Sequence, residues 1–221
     1  MQIDIRSDVK ELTKSLNRIQ RKQIPFATSR AINTLAFDVR KTLQDGLDIH
    51  MDRPTPYTKR GVQVEKSTKI DLVVEIGFRS KTFGKGQGST TQASYMKRQI
   101  EGGTRKARSK AIPVPVPKNL KTNKYGSIVR GKIKRLLQDK DKYFSGVPKG
   151  IGDAPGIWQR MPANSKRKKN QGGKIRMVIA WEPKTQYSER FPFKRIVETT
   201  IRTNFRRRFD FELREALKTA R

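Results

Sequence analysis

The chain contains no cysteine. That absence excludes disulfide frameworks, thiolate metal sites and a cysteine nucleophile. It has one histidine, His50, so a two-histidine metal site lacks a second ligand and a catalytic triad lacks partners. No apolar run approaches the roughly 20 residues that span a bilayer. The start, MQIDIRSDVKEL, has neither the basic opening nor the apolar stretch of a secretory signal. These features predict a protein made and used in a cytosol-like compartment, off the membrane. Acids are scarce too: 20 Asp and Glu stand against 51 Lys and Arg.

What is present, then, is charge of one sign. The net charge of +31 exceeds what solubility requires and predicts a polyanionic neighbour: nucleic acid, an acidic membrane or an acidic protein surface. The charge is uneven. Residues 1–78 carry 14 basic and 10 acidic groups, residues 179–221 carry 11 and 6, and the middle, 79–178, carries 26 and 4. The 221 residues suit one domain with long excursions or two small ones. A hydrophobic fraction of 33% is low, but the apolar residues concentrate in a few segments.

Val9, Leu12, Leu16 and Ile19 share one helical face over Asp8 to Lys22, with Asp8 and Glu11 spaced as a capping box. A second helix is expected from Pro25, a good first-turn residue, to about Ile49. Its stripe is Ile32, Leu35, Ala36, Val39, Leu43 and Leu47. Strands follow at Val62–Val64 and Asp71–Arg79. GKGQGSTT, 84–91, reads as a flexible loop, and Ala93–Glu101 as a short helix stopped by Gly102. Ile112, Val114 and Val116 alternate with prolines, which suits an edge strand. Ser127–Lys140 fits a basic helix, Phe144–Arg160 is glycine-rich, Ser165–Gly173 looks like a hairpin tip, and KIRMVIAW reads as a strand. A long final helix spans Phe193–Leu217, its stripe running through Val197, Thr200, Ile201, Phe205, Phe209 and Leu213. The sum is α+β: one domain, 1–221, with an antiparallel sheet packed against N-terminal helices and a long C-terminal helix. Long basic arms or insertions occupy 80–174.

Chemistry of the enzymatic kind finds little support. His50 ends a predicted helix, where the dipole favours it. GKGQGS lacks the spacing of a phosphate loop or a dinucleotide fingerprint. Asp71 and Glu75 flank a strand without the lysine a metal nuclease needs, and Glu101 sits at a helix end. The expectation is no catalytic residue, no metal and no cofactor. Basic patches are the strong signal: Lys97, Arg98, Arg105, Lys106, Arg108 and Lys110; then Arg130, Lys132, Lys134 and Arg135; then Lys166, Arg167, Lys168 and Lys169. Aromatic interleaving is poor, so nucleic-acid contact would be to phosphates and blind to sequence. Trp158 and Trp181 flank strand-like segments and are expected as core or interface anchors.

Three blocks together resemble a family. KQIPFATSRAINTLAFDVRKTLQ, YMKRQIEGGTRKARSKAIPVPV and KIRMVIAWEPKTQYSERFPFKRIVETTIRTNFRRRFDFELREAL are similar, in this order, to the minor tail protein Z type and related neck and tail-completion proteins of tailed bacteriophages. The resemblance implies a structural virion protein of the neck or tail. It would form a ring around the DNA channel and touch its own copies, portal, head-completion or tail proteins, and phage DNA through phosphates. It also implies a place in the virion, with host cytoplasm during assembly. The alternative reading is a sequence-nonspecific nucleic-acid-binding protein, ribosomal or packaging-related. The 105–110 arm would either grip a neighbouring subunit or line the DNA path.

Overall fold

The computed structural model describes residues 2–5, 18–86, 91–107, 111–150, 153–161 and 174–218. The chain is α+β and divides into two compact units: unit 1, Met1–Gly102 with Ser188–Arg221, and unit 2, Gly103–Tyr187.

Unit 1 is built on two long helices. Helix α1, Arg18–His50, carries the predicted stripe: Ile32, Leu35, Ala36, Val39, Leu43 and Leu47 are all fully buried. Helix α5, Phe193–Lys218, packs along it. As partners on α1 descend from Gly46 through Asp38 to Arg30, those on α5 ascend from Ile196 through Arg208 to Glu212, so the pair is antiparallel. Gly46 lets the helices approach: a Cβ there would stand 3.0 Å from Ile196 Cδ1. A three-stranded antiparallel sheet completes the core, in the order β1 (Gln2–Ile5), β3 (Val74–Phe78), β2 (Val62–Glu65). Val62, Val74, Ile76 and Phe78 are buried against the helices. Phe78, Phe191 and Phe193 form a ring cluster with centroids 5.9–6.4 Å apart. Helix α2, Pro56–Lys59, is a single turn capped by the Thr55 hydroxyl. Helix α3, Gln92–Glu101, buries Met96 and Ile100 and stops at Gly102, whose φ of 70° suits glycine.

Unit 2 holds two sheets. Strands β4, Gly103–Lys106, and β9, Lys184–Tyr187, form an antiparallel ribbon. The other sheet runs β5 (Ile112–Pro115), β8 (Ile175–Glu182), β7 (Gly156–Arg160), β6 (Tyr143–Gly146), all antiparallel. The short helix α4, Lys132–Gln138, turns Leu136 onto a small core of Leu120, Ile157, Val178 and Ile179, which Ile133 and Leu137 also touch.

Several expectations change. The second helix does not begin at Pro25: α1 runs through that residue. Proline there forfeits the bond to the Arg21 carbonyl, and burial of Ala27, Thr28 and Ala31 just beyond it outweighs the loss. The helix read over Asp8–Lys22 lies outside the described residues except for 18–22, which belong to α1. The sheet is three separate sheets. The middle, read as loops, contains β6, β7 and a core of its own. Phe205, expected in the apolar stripe of α5, is 37% exposed and stacks on Phe209 instead. Toward its C-terminus the buried face of α5 passes to Glu212 and Ala216, because residues spaced four apart, such as Ile201, Phe205, Phe209 and Leu213, advance about 40° per step around a helix of 3.6 residues per turn. The 165–173 hairpin tip and residues 87–90 of the 84–91 loop lie outside the described residues.

Candidate functional site

The predicted basic groups separate by unit. Lys97 and Arg98 sit on α3 in unit 1. Lys97 lies 3.7 Å from Glu101, and Arg98 donates to the Ser94 carbonyl. Arg105 and Lys106 belong to unit 2, on the fully exposed strand β4. Their partners across the ribbon are Thr185 and Lys184. Arg130 precedes α4, and Lys132, Lys134 and Arg135 lie on it; Lys134 and Arg135 are exposed, and Lys132, one turn before Leu136, is half-buried. Arg108, Lys110 and the run Lys166, Arg167, Lys168 and Lys169 lie outside the described residues. So the patch read as one stretch from Lys97 to Lys110 has its described members divided between two units.

Unit 2 as a whole carries 22 basic and 4 acidic side chains over 85 residues, a net +18. Sixteen of those cations are described, and fourteen are exposed. None makes an ion pair: every ion pair among the described residues lies in unit 1. Three of its five described arginines, Arg135, Arg160 and Arg176, are held by neutral acceptors. Arg160 Nη1 donates to the Lys140 carbonyl at 2.7 Å and its guanidinium covers the Phe144 ring at 4.6 Å. Arg176 Nε donates to Gln159 Oε1 at 2.8 Å. These contacts orient the cations and leave their charge uncancelled. Sequence reasoning named the predicted clusters and missed Lys118, Lys121, Lys124, Lys140, Lys142 and Lys149, all exposed in the same unit. The signal was present in the regional charge count.

The tryptophans are anchors inside unit 2. Trp158 is buried and donates to the Gly146 carbonyl at 3.2 Å. Trp181 packs on the small core and donates to Ser145 Oγ at 3.1 Å.

Unit 1 contains a cleft of about 890 Å³ where α1 and α3 end and α5 begins, lined by His50, Glu101, Glu189, Arg190, Lys194 and Glu198 among others. Its charges are mixed: Lys194 and Glu198 lie 3.7 Å apart. His50 stands edge-on to Phe191 at 6.2 Å. Among the described residues, no serine, threonine or tyrosine lines the cleft. Among the described residues no group of three or more His, Asp or Glu is placed to hold a metal ion. No described helix is long and apolar enough to cross a membrane. No family model, no curated protein and no solved structure matches the chain.

Proposed function

We propose that the protein is a non-enzymatic structural component of a tailed-bacteriophage virion. It completes the tail or forms part of the neck, as a ring of copies around the DNA channel, and is made in host cytoplasm before it joins the particle. The observation that supports this reading most is how the resembling blocks fold. Lys22–Gln44 runs along α1, and the block from Lys174 onward ends in α5. These two helices are the principal packing pair of unit 1. The first and last blocks, far apart in sequence, thus share one core, as segments of an inherited fold should.

The surface of unit 1 suits subunit contact. Ile49, Tyr57, Phe205, Phe211 and Leu217 are exposed there, and aromatic side chains are enriched at protein interfaces. The partners are other copies and the portal, head-completion or tail proteins beside them. Disrupting the gene in its phage genome is expected to yield heads and tails that fail to make infectious particles, visible by electron microscopy. A normal titre of normal virions would sink the reading.

A further inference from the structure

We propose that unit 2 is a grip for the phosphate backbone of double-stranded nucleic acid, blind to base sequence. This deepens the virion reading by naming the partner of one unit, and rests on that reading only for where the duplex comes from.

The uncancelled charge carries the inference. Sixteen described cations without one ion pair, in a unit of net +18, repel one another. At Lys106 and Lys184 two of them face each other directly across β4–β9, a pairing that costs stability in a sheet. An external polyanion relieves both. Unit 1, with 16 acids to its 29 basic groups where unit 2 has 4 to 22, cancels part of its own charge internally.

The chemistry of that polyanion follows from what unit 2 does not expose. Protein interfaces are centred on apolar and aromatic anchors from which charge is depleted. The exposed large apolar residues described in unit 2 are Val114, Val129 and Val147 alone. A base-stacking surface for single strands needs open aromatic faces. Here Tyr125, Tyr143 and Phe144 each lie under a cation, at 5.2, 6.0 and 4.6 Å, and the other described aromatics, Trp158, Trp181 and Tyr187, are buried or half-buried. What remains on offer is dispersed ammonium and guanidinium groups, which suit the regularly charged backbone of a duplex.

The test is fluorescence anisotropy of the full chain with two 30-base-pair duplexes of unrelated sequence, titrated across salt. Both duplexes should bind alike, with log Kd linear in log salt at a slope of about 0.9 per phosphate neutralised. Arg130→Gln/Lys134→Gln/Arg135→Gln, all exposed positions, should weaken binding about tenfold or more at ~0.1 M salt and lower the slope by about 1–3. Lys118→Gln/Lys121→Gln/Lys124→Gln should do the same, and carries the test if the first triple unfolds. Arg202→Gln/Arg206→Gln/Arg207→Gln on α5 removes as much charge from unit 1 and should leave the slope within error. Equal losses from unit 1 and unit 2 triples would overturn the proposal, because a basic chain then binds through charge anywhere. Tighter binding to the single strand overturns the duplex assignment. Displacement by polyglutamate at equal charge concentration gives the surface to an acidic protein instead. A phage that keeps its titre without the gene, while duplex binding persists, fails the virion reading and leaves this one standing.

Discussion

Arg208 on α5 meets Asp38 on α1 fork to fork: Nε lies 2.8 Å from Oδ2 and Nη2 lies 2.9 Å from Oδ1. The hydrogen bond to Asp38 is the main reason the guanidinium is held above its ordinary pKa. Two parallel bonds from a planar group fix the sliding position of one helix along the other, which apolar packing specifies less sharply. Lysine cannot make that fork. Arg208→Lys is therefore expected to cost about 1 kcal/mol, a fall of ~2–4 °C in Tm. A double-mutant cycle with Asp38→Asn should return a coupling above about 0.5 kcal/mol. Additive effects would show that the pair sets no register.

A second link between the same helices behaves differently when cut from either side. Glu212 is 5% exposed, and its Oε2 lies 2.8 Å from Arg30 Nε. That oxygen has no hydrogen-bond partner, so the contact is one of charge, while Oε1 accepts from the Thr34 hydroxyl at 3.5 Å. Arg30→Ala strands a buried carboxylate, whereas Glu212→Gln removes it. Arg30 is half exposed, so the first change is expected to cost about 1–3 kcal/mol rather than the full penalty of a deep pair. Adding Glu212→Gln to Arg30→Ala should restore part of the loss in urea denaturation. A double variant weaker than Arg30→Ala alone would refute the argument.

Unit 1 was largely readable because its helices carry their own periodicity. Ile32 through Leu47 and Phe193 through Thr200 repeat at helical spacing, and those positions are buried. Gly102 was legible as a stop, and the prolines of β5 as an edge, since each acts locally. Unit 2 resisted for the opposite reason. Strand β7 has four consecutive buried residues, Gly156–Gln159, because a register shift between Ile157 and Trp158 breaks the alternation that marks a strand. Its partner β8, Ile175–Glu182, is the next strand along the chain, and the tip read at 165–173 announces a turn without announcing where in the glycine-rich stretch before it the strand runs. Charge clusters were visible, but which cations find an acid depends on tertiary placement: Arg208 finds Asp38 across 170 residues, while the described cations of unit 2 find none.

Gly156 offers a test confined to unit 2. A Cβ at that position would stand 2.5 Å from the Ile179 carbonyl oxygen, a backbone atom in the β7–β8 ladder that cannot swing aside. Gly156→Ala is expected to spread those strands, at a cost of about 1–3 kcal/mol. Hydrogen exchange reads the result by region. Amides of β7 and β8 should exchange faster, while those of α1 and α5 keep their protection. Unchanged exchange in β7 would mean the ladder is looser than this geometry implies.

Tyr95 gives an alkaline signature with a definite sign. Its hydroxyl lies 3.0 Å from Thr58 Oγ1, and Thr58 in turn belongs to the capped turn α2. Burial raises the tyrosine pKa most, the bond to Thr58 offsets part of that, and Tyr57 adds to it. An unfolded tyrosine titrates near pH 10. Below that value the residue is neutral in both states and its full contribution to stability is present. As the pH rises past it, the unfolded chain loses its proton first, and stability falls until the folded hydroxyl ionises as well. Tyr95→Phe removes both the titration and the bond to Thr58. At pH 8 it should cost about 1 kcal/mol. Lysines titrate in the same window, so the quantity to read is the gap between wild type and variant in urea denaturation. That gap should narrow between pH 9 and about pH 11. A gap that stays constant or widens would mean that Tyr95 ionises as easily in the folded protein as in the unfolded one.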